Sequence, residues 1–230
     1  MKIGILQAGH VPDELSERHG TYPDMFSRML AGHGFTFESW RVVDGEFPAG
    51  IHVCDGWLIT GSKHGAYEPL AWIPPLEDFI RKAYKAGVPL VGICFGHQVM
   101  AQALGGRVEK FRGGWGVGRH RYRYHDGGEF ELHAMHQDQV VEKPEEARTI
   151  ASSEFCVHAA LAYHGNAISF QPHPEYNAEF ARDLISARAG TVVPSEQAAE
   201  AIRQIEGNLD SARVADQIAA FFKQAGRAAA

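Results

Sequence analysis

Apolar positions in the first half of the chain alternate between short runs and helical spacing. Lys2–Gln7, Gly56–Thr60 and Val88–Ile93 are apolar runs that read as buried strands, and Phe35–Val43 alternates as a strand does. Tyr22–Leu30 places Met25, Phe26, Met29 and Leu30 at helical spacing, and Ile73–Ala86 is amphipathic. Pro23 and the pair Pro74–Pro75 fall in the first turns of these helices, where proline is tolerated. The polar stretch Pro12–Gly20 reads as a loop. A further helical pattern starts at about His97 and ends at Gly105–Gly106. Strands alternating with helices predict an α/β fold: an open, mostly parallel sheet with helices on both faces.

The pattern changes after Gly106. Val117–His125 and Glu129–Ala134 flank Asp126-Gly127-Gly128, which predicts an antiparallel hairpin. Short strands are expected near Thr149–Ser152, Phe155–His158 and Ala167–Gln171. Tyr176–Arg188 reads as a helix. Ser195 is expected to cap another helix to about Ile205, and Asp210 or Ser211 a last one to about Gln224. Val214, Ile218, Phe221 and Phe222 give that last helix its inward face. Ala225–Ala230 reads as a frayed tail. With no repeat, low-complexity segment or linker, residues 1–230 are expected to form one domain, to which the C-terminal helices belong.

Composition narrows the classes. The chain has 230 residues, 45% hydrophobic and 22% charged, enough for a sizeable core. A formal net charge of -6 argues against nucleic acid as a partner. No apolar run is long enough for a membrane span, and the N-terminus reads as a strand rather than a signal peptide. Cys54, Cys94 and Cys156 are odd in number and lack metal-like spacing, so a reducing, cytoplasmic setting without disulfides is expected. The 13 histidines form neither HxxxH nor HExxH, so no metal and no cofactor is expected. The basic residues Arg107, Lys110, Arg112, Arg119, Arg121 and Arg123 could dock an acidic partner or recognise a carboxylate, but a solvated hairpin face is the favoured reading.

Candidate chemistry centres on Val88–Gln98. A buried strand runs into Gly92, Cys94 and Gly96 and then into a helix, the layout of a nucleophile elbow with sulfur in place of oxygen. The helix N-terminus favours a thiolate at Cys94. Side chains at 92 and 96 would collide with the strand and the helix. A cysteine nucleophile needs a base, and the base needs an orienter. His173 follows the apolar strand Ala167–Phe170 and so stands at a strand C-terminus, where open parallel sheets bind ligands. Pro172 and Pro174 bias the backbone to extended geometry, in which residues two apart point the same way. Glu175 can then hold one ring nitrogen of His173 while the other faces Cys94. The N–H of Phe95 is one expected oxyanion donor, and the loop Thr60-Gly61-Ser62 supplies the second.

These residues resemble a family, the class I glutamine amidotransferases of the triad type. Four motifs occur in the family's order: Gly61-Ser62, the elbow from Gly92 to Gln98, Met135-His136-Gln137-Asp138-Gln139-Val140, and Gln171-Pro172-His173-Pro174-Glu175. The resemblance runs from Lys2 to about Arg188. The segment His19–Phe26 is similar to the branch containing the glutaminase domain of GMP synthase and stand-alone γ-glutamyl peptidases. The resemblance implies a flavodoxin-like fold, Cys94 as nucleophile, His173 as general base and acid, and Glu175 as its orienter. It further implies oxyanion donors at Gly61 or Ser62 and at Phe95. Substrate contacts are implied at Gln98, at Trp115 and Gly116, and near His136 and Asp138. Met135 stands where the family has serine, and Pro172 where it commonly has an aromatic.

The implied reaction is attack of the thiolate on the side-chain carbonyl of a γ-glutamyl amide, giving a γ-glutamyl thioester that water hydrolyses. The substrate is glutamine or another γ-glutamyl compound. Nothing beyond Arg188 offers a second catalytic domain and no GxxxxGK[ST] string occurs, so ammonia made here would need a synthetase partner on another chain. The readings are a stand-alone hydrolase, a partner-dependent glutaminase subunit, and a non-catalytic binding or regulatory protein that keeps the fold.

Overall fold

A computed structural model describes residues 1–228. Nine strands form one sheet. Its parallel half contains β2 (Thr36–Trp40), β1 (Lys2–Leu6), β3 (Gly56–Ile59), β4 (Leu90–Ile93) and β11 (Ala167–Phe170), in that order. The sheet continues antiparallel through β10 (Ala160–Tyr163), β9 (Ala147–Ser152), β6 (Gly116–Tyr124) and β7 (Glu129–His136). The expected hairpin is β6–β7, turning at Gly127 and Gly128, both with positive φ, and β9 joins it to the main sheet.

Strand alternation sends successive side chains to opposite faces. Leu6, Trp57, Ile59 and Leu90 pack with α3 (Ile73–Lys85) and α4 (Phe95–Ala103) through Leu76, Phe79, Ile80, Val99 and Met100. Ile3, Ile5, Leu58, Val91 and Ile93 pack on the other side with Phe26 of α2 (Tyr22–Met29) and with Val214, Ile218 and Phe222 of α7 (Ser211–Ala228). A third apolar cluster joins α5 (Ala178–Arg188) and α6 (Ser195–Arg203) to Tyr22, Trp115 and Val117. No described helix is long and apolar enough to cross a membrane.

Several expectations are corrected. Pro12–Gly20 is not a loop: Asp13–His19 is a helix, α1. It has no apolar stripe because it docks by charge, with Arg18 paired to Glu179 and Asp183, and His19 to Asp183. Phe155–His158 is a turn held by Ser153, and the strand lies further on at the alanine-rich β10. Arg107–Lys110 (β5) and Asp138–Glu142 (β8) form a separate two-stranded sheet. Its strands each bury one or two side chains, so their pattern is too short to read. The helix after Glu175 starts at Ala178, capped by the Asn177 side chain. Ser195 lies inside its helix rather than capping it. The last helix continues through Ala225 to Ala228, and residues 229–230 of the expected tail lie outside the described residues.

The loops that follow β3, β4 and β11 leave the sheet at one edge, the C-terminal edge of its parallel half. Glycines make the junction there possible. A Cβ on Gly92 would lie 2.5 Å from the carbonyl of Gly96, and one on Gly96 would lie 2.3 Å from the carbonyl oxygen of Ile59. Gly96→Ala is therefore expected to destabilise the fold by about 1–3 kcal/mol or more, lowering Tm by roughly 2–10 °C. Gly50→Ala, with nothing within 4 Å and no positive φ, is expected to stay within about 0.5 kcal/mol. Equal thermal melts for the two variants would contradict this packing account.

Candidate active site

Cys94 occupies the junction of β4 and α4. Its φ of 54° and ψ of -103° are unusual for a residue with a side chain. The backbone is held on both sides: its N–H donates to the Phe170 carbonyl at 2.8 Å, and its carbonyl accepts from the Gln98 N–H at 3.0 Å. The first N–H groups of α4 have no partner within the helix and lie at the thiol end. Phe95 buries its ring beside Trp72, leaving only its backbone to serve the site. The Thr60 hydroxyl, bonded to the Ala8 N–H and the Gly61 carbonyl, fixes the loop after β3. A Cβ on Gly61 would stand 3.7 Å from that of Cys94 and 3.1 Å from Cε1 of His173, so glycine permits the three to meet. Ser62 lines the cavity, its hydroxyl accepting from the His64 N–H.

His173 reaches Cys94 from the segment after β11. Its backbone N–H donates to the His133 carbonyl at 2.8 Å, which ties this segment to β7. Nδ1 lies 2.7 Å from Oε1 of Glu175, whose side chain is fully buried, and the ring stacks on Tyr176 at 3.9 Å. Burial opposes a charge on this imidazole, but Glu175 and Cys94 outweigh it and raise His173 from 6.5 to about 10. The other ring nitrogen, Nε2, is buried without a hydrogen-bond partner among the described residues, and the nearby Cys94 favours the charged ring.

A cavity of about 240 Å³ opens over Cys94 and His173. Gln98, Trp115, His136 and Asp138 line it, while Gly116 lies behind, packed close to His136. The Gln98 amide donates to the Asp138 carbonyl at 2.8 Å and to Gln171 at 3.1 Å, which orients its side chain. His136 faces the same carbonyl through Nδ1 at 3.1 Å, and burial pushes it down to about 3, so it is neutral. Burial raises Asp138, whose carboxylate accepts from the Tyr67 hydroxyl at 3.2 Å. The cavity also recruits Tyr22, Tyr67, Tyr176 and Arg188, none singled out in the sequence as site residues, together with Lys110 of the basic cluster. Tyr176 follows Glu175 directly and Tyr22 lies within His19–Phe26, so position relative to the motifs was the available signal.

Other candidates fall away from this centre. Cys54 and Cys156 are buried outside the cavity lining, and burial raises both thiols, Cys156 to about 12. Arg119, Arg121 and Arg123 pair with Glu131 and Glu129 across the hairpin, and Arg107 pairs with Glu142, so most of the basic cluster is neutralised on the surface. Among the described residues, no group of three or more His, Cys, Asp or Glu side chains is placed to hold a metal ion.

Comparison with known proteins follows the same lines. Residues 50–187 match the family described as "Glutamine amidotransferase class-I". Gamma-glutamyl peptidase 4 of Arabidopsis thaliana is 34% identical over 182 residues, covering 73% of this chain and 72% of that protein. A glutamine-hydrolysing GMP synthase of Thermus thermophilus is 35% identical over 126 residues, 51% of this chain but 24% of that enzyme. The crystal structure of a glutamine amido transferase from Methylobacillus flagellatus superposes with a TM-score of 0.75 at 24% identity, covering 99% of this chain and 94% of that one, and so shares the fold. The match over more than half of its length, together with these relatives, establishes that the chain belongs to the class I glutamine amidotransferase family.

Proposed function

We propose that the chain hydrolyses a γ-glutamyl amide bond through a γ-glutamyl thioester on Cys94. One observation carries this reading: a cysteine in a strained strand-to-helix turn shares a buried pocket with a histidine whose far nitrogen is 2.7 Å from a fully buried glutamate. Burial of all three side chains has no packing advantage over apolar residues, whereas nucleophile, acid–base group and orienter each need such a place.

The sulfur of Cys94 attacks the amide carbonyl carbon. The carbonyl oxygen, now anionic, is taken up by the N–H of Phe95 and by the backbone at Gly61 or Ser62. Imidazolium His173 gives its proton to the nitrogen of the leaving amine as the C–N bond breaks. Water then adds to the thioester, His173 accepts its proton, and the thiolate departs, releasing glutamate. Glu175 holds the ring throughout. Gln98 orients the glutamyl chain, and Trp115 and Gly116 flank it. Asp138 offers a carboxylate to the α-amine, with His136 bracing the Asp138 backbone. An ammonium partner relieves the burial that raises Asp138. The names of the relatives, a gamma-glutamyl peptidase and a glutamine-hydrolysing GMP synthase, point to two leaving groups for such a reaction. Ammonia leaves when glutamine is the substrate, and an amino acid or peptide leaves otherwise.

Two outcomes test the reading. Cys94→Ala is expected to lower turnover of glutamine and γ-glutamyl dipeptides by on the order of 10⁴-fold or more while circular dichroism shows the fold retained. A diazo-ketone analogue of glutamine is expected to label Cys94; mass-spectrometric labelling at Cys54 or Cys156 instead would sink the assignment.

Glu175→Gln removes a group that raises His173. It is expected to lower kcat/KM by roughly 10²–10⁴-fold. The sign of the pH effect follows from a folded pKa above the unfolded one. The stabilisation is full below 6.5 and is lost as pH rises through about 10. Denaturant titrations across that window are expected to show the wild-type chain losing more stability than the variant. Parallel curves would contradict the coupling of Glu175 to His173.

A further inference from the structure

The proton donor defines the leaving side of the cavity. If His173 protonates the departing nitrogen, whatever that nitrogen carries extends along the wall beside His173. That wall is continuous. The ring of His173 lies flat on Tyr176, interplanar angle 6°, and Tyr176 is stacked with Tyr22 at 6.4 Å. Leu184 belongs to the same apolar cluster as these tyrosines, and Arg188 completes the lining at the end of α5. Tyr22, Tyr176 and Arg188 line one cavity with Cys94, so the nucleophile and the guanidinium share it with the tyrosine pair.

Arg188 is held there without being neutralised. Its carbonyl accepts from the Val192 and Val193 N–H groups at 3.2 and 3.1 Å and from the Thr191 hydroxyl at 2.9 Å, so the following loop wraps the helix end. Arg18 pairs with Glu179 and Asp183, and Arg182 with Glu206. Arg188 has no such partner among the described residues. The same cavity also carries both signs elsewhere in its lining: Asp138 bonded to Tyr67, with Lys110 and Glu68 near it. That suits the α-amine and α-carboxylate of a glutamyl head. An apolar wall ending in one unpaired guanidinium suits a different group, an amino acid with an apolar side chain and a free carboxylate. Departing ammonia would leave this wall unused.

We propose that Arg188 binds the carboxylate of the leaving amino acid, so that the site is built for a γ-glutamyl dipeptide with an apolar second residue rather than for free glutamine. This inference rests on the hydrolase reading above. Guanidinium and carboxylate pair through two parallel charge-assisted hydrogen bonds, which lysine reproduces only in part.

The test compares γ-glutamyl-leucine, γ-glutamyl-leucinamide and glutamine as substrates of the wild-type chain, Arg188→Met and Arg188→Lys. The wild type is expected to favour the free acid over the amide by about 10- to 100-fold in kcat/KM. Arg188→Met is expected to collapse that ratio and the dipeptide-to-glutamine ratio alike, and Arg188→Lys to restore part of both. In a Cys94→Ala background, calorimetry is expected to show the same loss of preference in binding. If the wild type turns over acid and amide equally, or Arg188→Met lowers all three substrates in proportion, this inference is overturned and the hydrolase reading stands. Failure of the wild type to cleave any γ-glutamyl compound removes the hydrolase reading and this inference with it.

Discussion

The junction of β4 and α4 constrains everything around it. A residue with a side chain held at φ 54° costs about 1–3 kcal/mol and persists only where its surroundings leave no alternative. Here the surroundings do so by contact. Gly92 and Gly96 bring strand, helix and the neighbouring β3 so close that no added carbon fits at either position. The peptide N–H of Cys94 is spent on β11, and its carbonyl opens α4. The four residues of β4 are fully buried between two parallel neighbours, so the strain sits where the sheet can least relax.

The same sheet sets the partners. β11 pairs with β4 in register, so chain leaving β11 emerges beside Cys94, and His173 follows three residues after Phe170. β3 pairs on the other side of β4 and delivers Gly61 against the imidazole. Three loops from adjacent parallel strands thus converge at one edge of the sheet. The antiparallel half has a supporting role. His133 of β7 accepts the His173 N–H, and β8 presents the Asp138 carbonyl to Gln98 and His136. A structure that placed the thiol by strain and the imidazole by register needs the second half of the sheet to close the cavity.

Much of this was legible because it depends on short-range rules. Buried strands are apolar runs, and helices of the main layer carry clean stripes, so the parallel half could be read in order. Gly92 and Gly96 announced a close approach, and the spacing of His173 and Glu175 followed from proline-stiffened extended chain. What escaped reading depends on partners far away. Helix α1 has only His19 buried and is fixed by carboxylates more than 160 residues on. β5 and β8 bury so little that neither shows a period. Tyr22, Tyr67 and Tyr176 read as ordinary aromatic positions; their place at the cavity comes from tertiary packing.

The electrostatics of the centre also turn on that packing. His173 is sealed from water, which by itself would favour the neutral ring, and the adjacent carboxylate and thiol reverse the preference. His136, equally buried but facing only a carbonyl and other imidazoles, goes the other way and stays neutral. Two histidines lining one cavity are thereby separated in charge: one is held protonated, the other is neutral and holds its Nδ1 hydrogen against the Asp138 backbone. The difference lies in the neighbours: Glu175 and Cys94 reach the first ring, and no carboxylate among the described residues pairs with the second. The protonation of the buried ring is therefore set by the placement of one buried carboxylate and one thiol.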